Sequence, residues 1–226
     1  MDGAVRPEHA PARHWVPACA GMTALFAPCF LPPCQTPRMN SPAIHDRLLP
    51  YIARLRERAL SDIDLVVIHC TELPDLAIAR EYGERVLHQD GSGNSGHFYV
   101  DRDGALHRFV TPARIAHHTR GYNERSIGIE LVNTGRYPDW LDSRKQEMSE
   151  PYPSAQITAL LALLSTLRAQ CPNLKWIAGH EDLDTGTVPA SDDPSQQVFR
   201  KRDPGPMFPW PEVLRECGLS RLLASQ

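Results

Sequence analysis

Two histidines and one aspartate occur at positions from which their side chains could meet around a metal ion. His69 follows the apolar run LVVI and His180 follows WIAG, and both runs are typical of buried strands. Asp203 lies in KRDPGP, where prolines and a glycine fix the course of the backbone. Two imidazoles and one carboxylate are a ligand set for catalytic zinc, with the fourth position left to water. Because sites are built at strand ends in sheets covered by helices, these residues are candidate ligands.

The spacing of these residues also leaves other interpretations open. The chain has ten histidines, and a histidine after a strand is commonly a core or turn residue. Asp203 could be a turn residue, with Lys201 and Arg202 as solvated charges. Cys70 could be a fourth ligand, but alternation along a strand turns it away from His69 and into the core. Four aspartates in a polar segment without a rigid frame could also supply the carboxylate: Asp182, Asp184, Asp192 and Asp193.

The composition indicates a globular domain without a nucleic-acid partner or a membrane span. The chain has 226 residues, 42% of them hydrophobic, which is enough apolar material for a core. The formal net charge is -3, and no run of lysine and arginine offers the basic face that phosphates require. No stretch approaches the roughly 18 unbroken apolar residues of a membrane helix. The six cysteines lack paired spacing, which favours reduced thiols and a cytoplasmic location, with a periplasmic or secreted location as the alternative.

The first 38 residues differ in composition from the rest of the chain. They are rich in proline and alanine, and they show neither helical nor strand periodicity. Prolines interrupt every apolar segment that could serve as a secretory signal. We therefore expect residues 1–38 to be a disordered or non-native leader, with translation starting at Met39. Residues 39–226 are expected to form the functional domain.

Strands and helices are predicted to alternate beyond the leader. Strands are expected at 64–70, 126–133 and 174–181, a hairpin at 97–110, a polar loop at 182–197, and helices at 41–60, 75–88, 154–171 and 210–217. The helix at 41–60 is predicted from helical spacing of apolar residues, although Pro50 should kink or split it. This order of elements predicts a single α/β domain with a mixed central β-sheet flanked by helices.

Five short motifs occur in an order that resembles one enzyme family. In chain order they are VVIHCT, SGHFYVDRDG, AHHTRGYNERSIGIELVN, AGHEDL and RKRDPGPMFPW, and they extend from about Asp64 to Trp210. Together they resemble the zinc-dependent N-acetylmuramoyl-L-alanine amidases of the type 2 class. That family shares its fold with peptidoglycan recognition proteins and phage amidase endolysins.

The resemblance implies a role for each candidate residue and for one Zn²⁺ ion per chain. The implied zinc ligands are His69, His180 and Asp203. The implied catalytic residues are Glu130 and Lys201, and the residues that line or brace the substrate cleft are His97 and His118. Glu130 would be the acid and base that moves protons, and Lys201 would stabilise the transition state. We assign His97 and His118 to substrate binding.

The implied activity is hydrolysis of the amide bond between the lactyl group of N-acetylmuramic acid and L-alanine, in peptidoglycan or muropeptide fragments. The alternative is a non-catalytic peptidoglycan-binding module of the same fold. Such binders typically lose a metal ligand, whereas this chain retains all three. The chain departs from its relatives in a longer segment at 181–200 and an insertion at 140–151, which could form a flap and change the substrate preference. The sequence leaves the oligomeric state open.

Overall fold

A seven-stranded sheet forms the centre of the computed structural model, which describes residues 42–224. The strands in chain order are β1 (Ile44–Asp46), β2 (Leu65–Cys70), β3 (Phe98–Val100), β4 (Leu106–Arg108), β5 (Ser126–Leu131), β6 (Trp176–Gly179), β7 (Thr187–Pro189), β8 (Gln197–Phe199) and β9 (Ser220–Arg221). The order across the sheet is β1-β4-β3-β5-β2-β6-β9, and β3 and β4 are its antiparallel pair. Strands β7 and β8 form a separate hairpin. The expected leader at residues 1–38 lies outside the described residues.

Four α-helices accompany the sheet in the part of the chain that the structure describes. They are α1 (Leu76–Glu84), α2 (Ser154–Gln170), α3 (His180–Leu183) and α4 (Trp210–Cys217), and single turns of 3-10 helix lie at Ile52–Arg54, Leu60–Asp62 and Asn123–Arg125. Within residues 42–224, every helix is too short or too polar to traverse a bilayer. The predicted α/β class, with a mixed sheet flanked by helices, is confirmed.

The longest helix covers one face of the sheet. The side chains that α2 buries recur at helical spacing and include Ile157, Leu160, Leu164 and Leu167. They pack in one cluster with alternate residues of β2 and β5, such as Ile68. Burying a leucine or isoleucine side chain contributes about 1.5–3 kcal/mol, so this layer is a main source of stability. Truncating the fully buried Leu160 to alanine is expected to lower the free energy of unfolding by about 2–5 kcal/mol.

The opposite face of the central strands carries the polar residues of interest. Along β2, Val66 and Ile68 face α2, and Val67 belongs to a different cluster on the other side. Because side chains alternate along a strand, His69 lies on the same face as Val67. Packing against α2 therefore fixes which face of the sheet holds the site.

The predicted helix at 41–60 is wrong. Ile44 pairs with Leu106 as part of β1, and only a single 3-10 turn, Ile52–Arg54, follows Pro50. Proline cannot donate a hydrogen bond and restricts the residue before it, so a helix across this point would be interrupted. The free edge of β4 accepts the segment as a strand instead. The predicted polar loop at 182–197 is also partly wrong, because it contains β7 and most of the hairpin with β8.

Candidate metal centre and catalytic cleft

The register between two parallel strands places His69 beside Glu130. Strand β2 pairs with β5, and His69 is the partner of Glu130 in that ladder. Neighbouring strands lie about 4.8 Å apart, and paired residues point to the same face. Both residues are next to last in their strands, so they project at the carboxyl edge of the sheet. A ligand candidate and an acid-base candidate are thus neighbours by strand pairing alone.

A close backbone approach brings His180 and Asp203 to the same edge. Strand β6 ends at Gly179, and His180 begins the short helix α3. A Cβ at Gly179 would lie 2.8 Å from the ring of Pro204, so only glycine allows the turn that carries Asp203 to pack there. The backbone N–H of Glu181 donates to the carbonyl of Asp203 at 2.9 Å, which holds the turn in place.

The three predicted ligands form one buried cluster. His69 Nδ1 lies 2.8 Å from Asp203 Oδ2, and His180 Nδ1 lies 3.1 Å from the same oxygen. One nitrogen or oxygen atom from each residue lies within 4.8 Å of the others. The three residues are 2–3% exposed, so the cluster is shielded from bulk water.

The surroundings favour the protonation states that metal ligation requires. Burial lowers the pKa of His69 to about 4, so its ring is neutral near pH 7. Burial alone would raise the pKa of Asp203, but the electrostatic interaction with His180 and the hydrogen bonds with both histidine rings hold that pKa well below its usual value. An ionised carboxylate and a neutral imidazole are the forms that bind metals.

The residues at this site fit a zinc ion. Asp203 Oδ1 is buried and has no hydrogen-bond partner among residues 42–224, which leaves an acceptor that a cation would satisfy. Two imidazoles with one carboxylate suit Zn²⁺, whereas Ca²⁺ and Mg²⁺ take oxygen ligands. The ligand roles of His69, His180 and Asp203 stay predictions.

Glu130 presents an unpaired carboxylate to the cleft. None of its oxygens takes part in a hydrogen bond within the described part of the chain, and the residue lines the cavity next to His69. Burial raises the pKa of Glu130 well above its usual value, the negative charge of Asp203 raises it further, and Lys201 opposes both effects. A carboxylate with a raised pKa is a stronger base, which is what a proton carrier needs.

Lys201 lies at the same cleft, two residues before Asp203. It lines the cavity and makes no ion pair within 4 Å among residues 42–224. Its positive charge nevertheless helps to lower the pKa of both Glu130 and Asp203. The charge of Lys201 therefore acts on two of the groups at the site, and its catalytic role stays a prediction.

His118 contacts a predicted ligand directly. Its Nδ1 lies 3.1 Å from His69 Nε2, and its Nε2 lies 3.3 Å from Ser126 Oγ, whose hydroxyl donates to the carbonyl of Tyr122. A Cβ at Gly128 would lie 2.6 Å from the His118 ring, so this position of the strand requires glycine. This series of hydrogen bonds offers an acceptor for a proton on His69 Nε2, the tautomer in which Nδ1 is available to a metal in place of its hydrogen bond with Asp203. His118 also lines the cleft.

His97 lies beneath the cleft and is fully buried. The backbone N–H of Gly128 donates to its Nδ1 at 3.0 Å, so the ring proton is on Nε2, which donates to the carbonyl of Arg114 at 3.0 Å. Burial first, and the adjacent Arg58 guanidinium second, lower the pKa of His97 to about 3. Both ring nitrogens are used by the protein, so bracing is the role that fits His97, and its assignment to substrate contact gains no support from this placement.

The competing candidates for the metal ligands are engaged elsewhere. Four aspartates were considered as alternative ligands, and each binds another side chain: Asp182 binds Arg221, Asp184 binds Arg200, Asp192 binds Ser143 and Asp193 binds Ser195. Cys70 is a buried free thiol whose pKa burial raises well above its usual value. It is not part of the cluster of potential metal ligands within residues 42–224.

The cleft encloses about 730 Å³, and the two insertions supply one of its walls. Trp140 and Leu141 come from the first insertion, and Arg200 follows the β7–β8 hairpin. The two insertions are joined, because the backbone N–H of Ser191 donates to the carbonyl of Leu141 at 2.8 Å. Both insertions were identified from the sequence, but Arg136, which lines the same wall, was not. A single arginine in a loop belongs to no sequence motif that would indicate its role.

A mixed α/β domain with a buried His-His-Asp cluster at the carboxyl edge of its central strands has the arrangement of a catalytic metal site. Residues 59–206 match the family model described as N-acetylmuramoyl-L-alanine amidase. The chain belongs to this family of peptidoglycan amidases, as its motifs predicted.

Two curated relatives are similar in sequence. The chain is 35% identical over 94 residues to the N-acetylmuramoyl-L-alanine amidase AmiD of Escherichia coli (strain K12), an alignment covering 42% of this chain and 28% of AmiD. It is 28% identical over 132 residues to the endolysin of Escherichia phage T7, covering 58% of this chain and 83% of the endolysin. The matched region is thus less than a third of AmiD and most of the phage protein.

Solved structures share the fold. The endolysin LysCS of Clostridium intestinale URNW superimposes with a TM-score of 0.53 at 20% identity, over 80% of this chain and 98% of that chain. AmiD from E. coli, in complex with the substrate anhydro-N-acetylmuramic acid-L-Ala-D-γ-Glu-L-Lys, gives a TM-score of 0.51 at 24% identity, over 70% and 58% of the two chains. At these identities the likeness establishes the fold alone.

Proposed function

We propose that this chain is a zinc-dependent amidase that hydrolyses the bond between the lactyl group of N-acetylmuramic acid and L-alanine. The observation that carries the proposal is the meeting of His69, His180 and Asp203 beside Glu130 in one cleft. Membership of the amidase family supports the choice of bond. A module that only binds peptidoglycan needs neither the complete ligand set nor the unpaired carboxylate.

His69, His180 and Asp203 would hold the zinc ion. When bound there, zinc supplies Lewis acidity, which lowers the pKa of water and polarises a carbonyl group. The neutral His69 ring and the ionised Asp203 carboxylate are ready for this role without a change of protonation at neutral pH.

Glu130 would carry the proton through the reaction. An amide nitrogen is a poor leaving group unless it is protonated as it departs. Glu130 takes a proton from the attacking water and delivers it to the alanine nitrogen, so one carboxyl group serves both half-reactions. The absence of competing hydrogen bonds from residues 42–224 and the raised pKa of Glu130 suit both transfers.

Lys201 would stabilise the negative charge that develops on the carbonyl oxygen. Lys201 lines the cleft, and its positive charge acts on His69, Glu130 and Asp203. A preorganised donor of this kind commonly contributes about 3–4 kcal/mol to the transition state.

The test is product analysis on a defined muropeptide. The purified chain would be incubated with anhydro-N-acetylmuramic acid-L-Ala-D-γ-Glu-L-Lys, the compound bound in the AmiD complex, with added zinc and separately with a chelator. We expect two products by mass spectrometry: the sugar with a free lactyl carboxyl group and the peptide with a free alanine amine. The chelator should abolish both, and added zinc should restore them.

Two outcomes would oppose the proposal in different ways. Zinc-loaded protein that binds the muropeptide but releases no product would favour the binding module. Cleavage that persists after stoichiometric removal of metal would exclude the zinc mechanism. A parallel digestion of intact peptidoglycan distinguishes the two classes of substrate.

We also propose that the protein acts in the cytoplasm. The support is that Cys70, Cys171 and Cys217 are buried and form no disulfide within residues 42–224, as expected in a reducing compartment. Fractionation of cells that express the native gene, followed by detection of the chain in each fraction, tests this. Recovery outside the cytoplasm would contradict it.

A further inference from the structure

Arg136 is a buried cation that none of the proposed chemical steps uses. Its side chain is 1% exposed, and that of its partner Glu72 is 9% exposed. Nε donates to Glu72 Oε1 at 2.6 Å, and Nη2 donates to Glu72 Oε2 at 3.0 Å. The remaining hydrogen bonds of the guanidinium go to Gln146 Oε1 at 3.1 Å and to the carbonyls of Phe199 at 2.9 Å and Arg200 at 3.4 Å. All five donors of the group are therefore occupied.

These contacts join the two segments that carry the predicted metal site. Glu72 lies just beyond β2, the strand of His69. Phe199 ends β8, and Arg200 directly precedes Lys201. One rigid planar group thus connects the end of a central strand with the backbone that leads into the Lys201–Asp203 turn.

Stability alone gives a poor account of this arrangement. Removing two charges from water is costly, and a well-packed apolar pair often serves a core equally well. Glu72 also holds a φ of +49°, which is strained for a residue with a side chain and persists where the surroundings enforce it. The planar guanidinium of Arg136 has fixed donor directions, so it defines the relative positions of the groups that it joins.

We propose that Arg136 is a positioning residue for the metal centre. Through the carbonyls of Phe199 and Arg200, it sets the place of Lys201 and Asp203 relative to the strands that carry His69 and Glu130. The inference rests on the proposed function, because it assigns Arg136 to the zinc site described there.

The principal test is Arg136→Lys, which keeps the positive charge and removes the fork. A single ammonium group can remain paired with Glu72 but cannot also hold both carbonyls. We expect the Kd for zinc, measured by competition with a chromophoric chelator, to weaken by about 10–100-fold, as for other groups that support metal ligands. At saturating zinc, kcat should fall while KM stays nearly constant, because the Arg136 side chain is only 1% exposed and offers the substrate almost no surface.

Arg125→Lys is the matched control. Arg125 makes a two-pronged ion pair with Asp64 at the opposite end of β2 and β5. The same substitution there should leave the Kd for zinc and kcat within about twofold of the unaltered chain, since this partly exposed ion pair contacts neither the predicted ligands nor the segment that leads to Lys201. An equal loss in both variants would mean that the effect is general destabilisation, and the proposal would fail.

A variant that does not fold is handled by chemical rescue. If Arg136→Lys is unfolded by circular dichroism, Arg136→Ala is titrated with millimolar guanidinium, with methylammonium as the control. Recovery of zinc affinity with guanidinium alone supports the positioning role, and no recovery overturns it.

The two proposals fail in distinguishable ways. If the unaltered chain binds no zinc and cleaves no muropeptide, the proposed function is wrong. If the unaltered chain does both and a folded Arg136→Lys variant matches it in zinc Kd and kcat, only the inference about Arg136 is wrong.

Discussion

Asp203 Oδ2 lies 2.8 Å from His69 Nδ1, although the two residues are 134 positions apart in the chain. No local element could produce this contact. It depends on β2 ending at the same sheet edge as β6 and on the close packing of Pro204 against Gly179. The metal centre is therefore a property of the folded sheet, and its integrity can be tested one side chain at a time.

Asp203→Asn is expected to abolish stoichiometric zinc binding. The amide keeps the size of the side chain but removes the negative charge between two imidazoles. Loss of a ligand should exceed the roughly 10–100-fold effect of losing a supporting group, so we expect more than about a 100-fold increase in the Kd for zinc. Metal content after gel filtration and chelator competition measure this.

Asp193→Asn is the control for that substitution. Asp193 is one of the aspartates considered from sequence, but it binds Ser195 and Gln196 at the surface. Its substitution should leave zinc content unchanged. Full zinc occupancy in Asp203→Asn would mean that another group completes the site.

Glu130→Gln is expected to keep zinc and lose most turnover. The substitution preserves shape, and the carboxylate has no hydrogen bond within the described residues whose loss would disturb the fold. General acid-base catalysis contributes about 10²–10⁴-fold, so kcat should fall by that factor while KM changes little. Single-turnover kinetics and metal analysis on the same sample separate the two effects. Turnover equal to that of the unaltered chain would remove Glu130 from the mechanism.

The candidate ligands could be identified from the sequence because each lies in a recognisable local pattern. His69 ends an apolar run, and Asp203 lies in a proline-framed turn. Pairing between distant segments was not accessible in the same way. The segment around Ile44 has helical spacing, yet it forms an edge strand because β4 offers unpaired backbone groups. Arg136 was missed because two of its partners are backbone carbonyls more than sixty positions away, and no side-chain pattern records them.

His118→Phe distinguishes a supporting role from a substrate-binding role for this residue. Phenylalanine keeps a ring over Gly128 but offers no acceptor to His69 Nε2. If His118 orients His69, the Kd for zinc should weaken by about 10–100-fold, with KM unchanged at saturating zinc. If His118 instead contacts substrate, KM should rise and zinc affinity should stay constant.

His117→Phe is the matched control for that experiment. His117 is the adjacent residue, and its ring packs against His88 at the rim, 4.3 Å away between centroids. It makes no contact with the predicted ligands, so its substitution should leave zinc affinity unaltered. Equal losses of zinc affinity in both variants would show that the segment tolerates no aromatic replacement and would remove support for the role of His118.

The metal-free protein is expected to lose stability on acidification, in part because of His97. Burial, then the charge of Arg58, depress the pKa of His97 from 6.5 to about 3, and His69 and His118 also lie nearby. Between these values the unfolded chain binds a proton at this ring and the folded chain does not. The free energy of unfolding therefore falls as the pH falls, by up to about 1.4 kcal/mol per pH unit from this residue.

Urea unfolding of chelator-treated protein between about pH 7.5 and about pH 5 measures that slope, and His97→Asn isolates the contribution of His97. Asparagine can still accept from the N–H of Gly128 but has no titrating ring, so the variant should be less stable near neutral pH and less sensitive to acid. The slope of the free energy of unfolding against pH should be smaller in the variant than in the unaltered chain, and the difference should approach the uptake of one proton on unfolding. Identical slopes would mean that the ring is doubly protonated in the folded state. That state conflicts with Nδ1 accepting a hydrogen bond from the backbone N–H of Gly128 and with the Arg58 guanidinium beside Nε2.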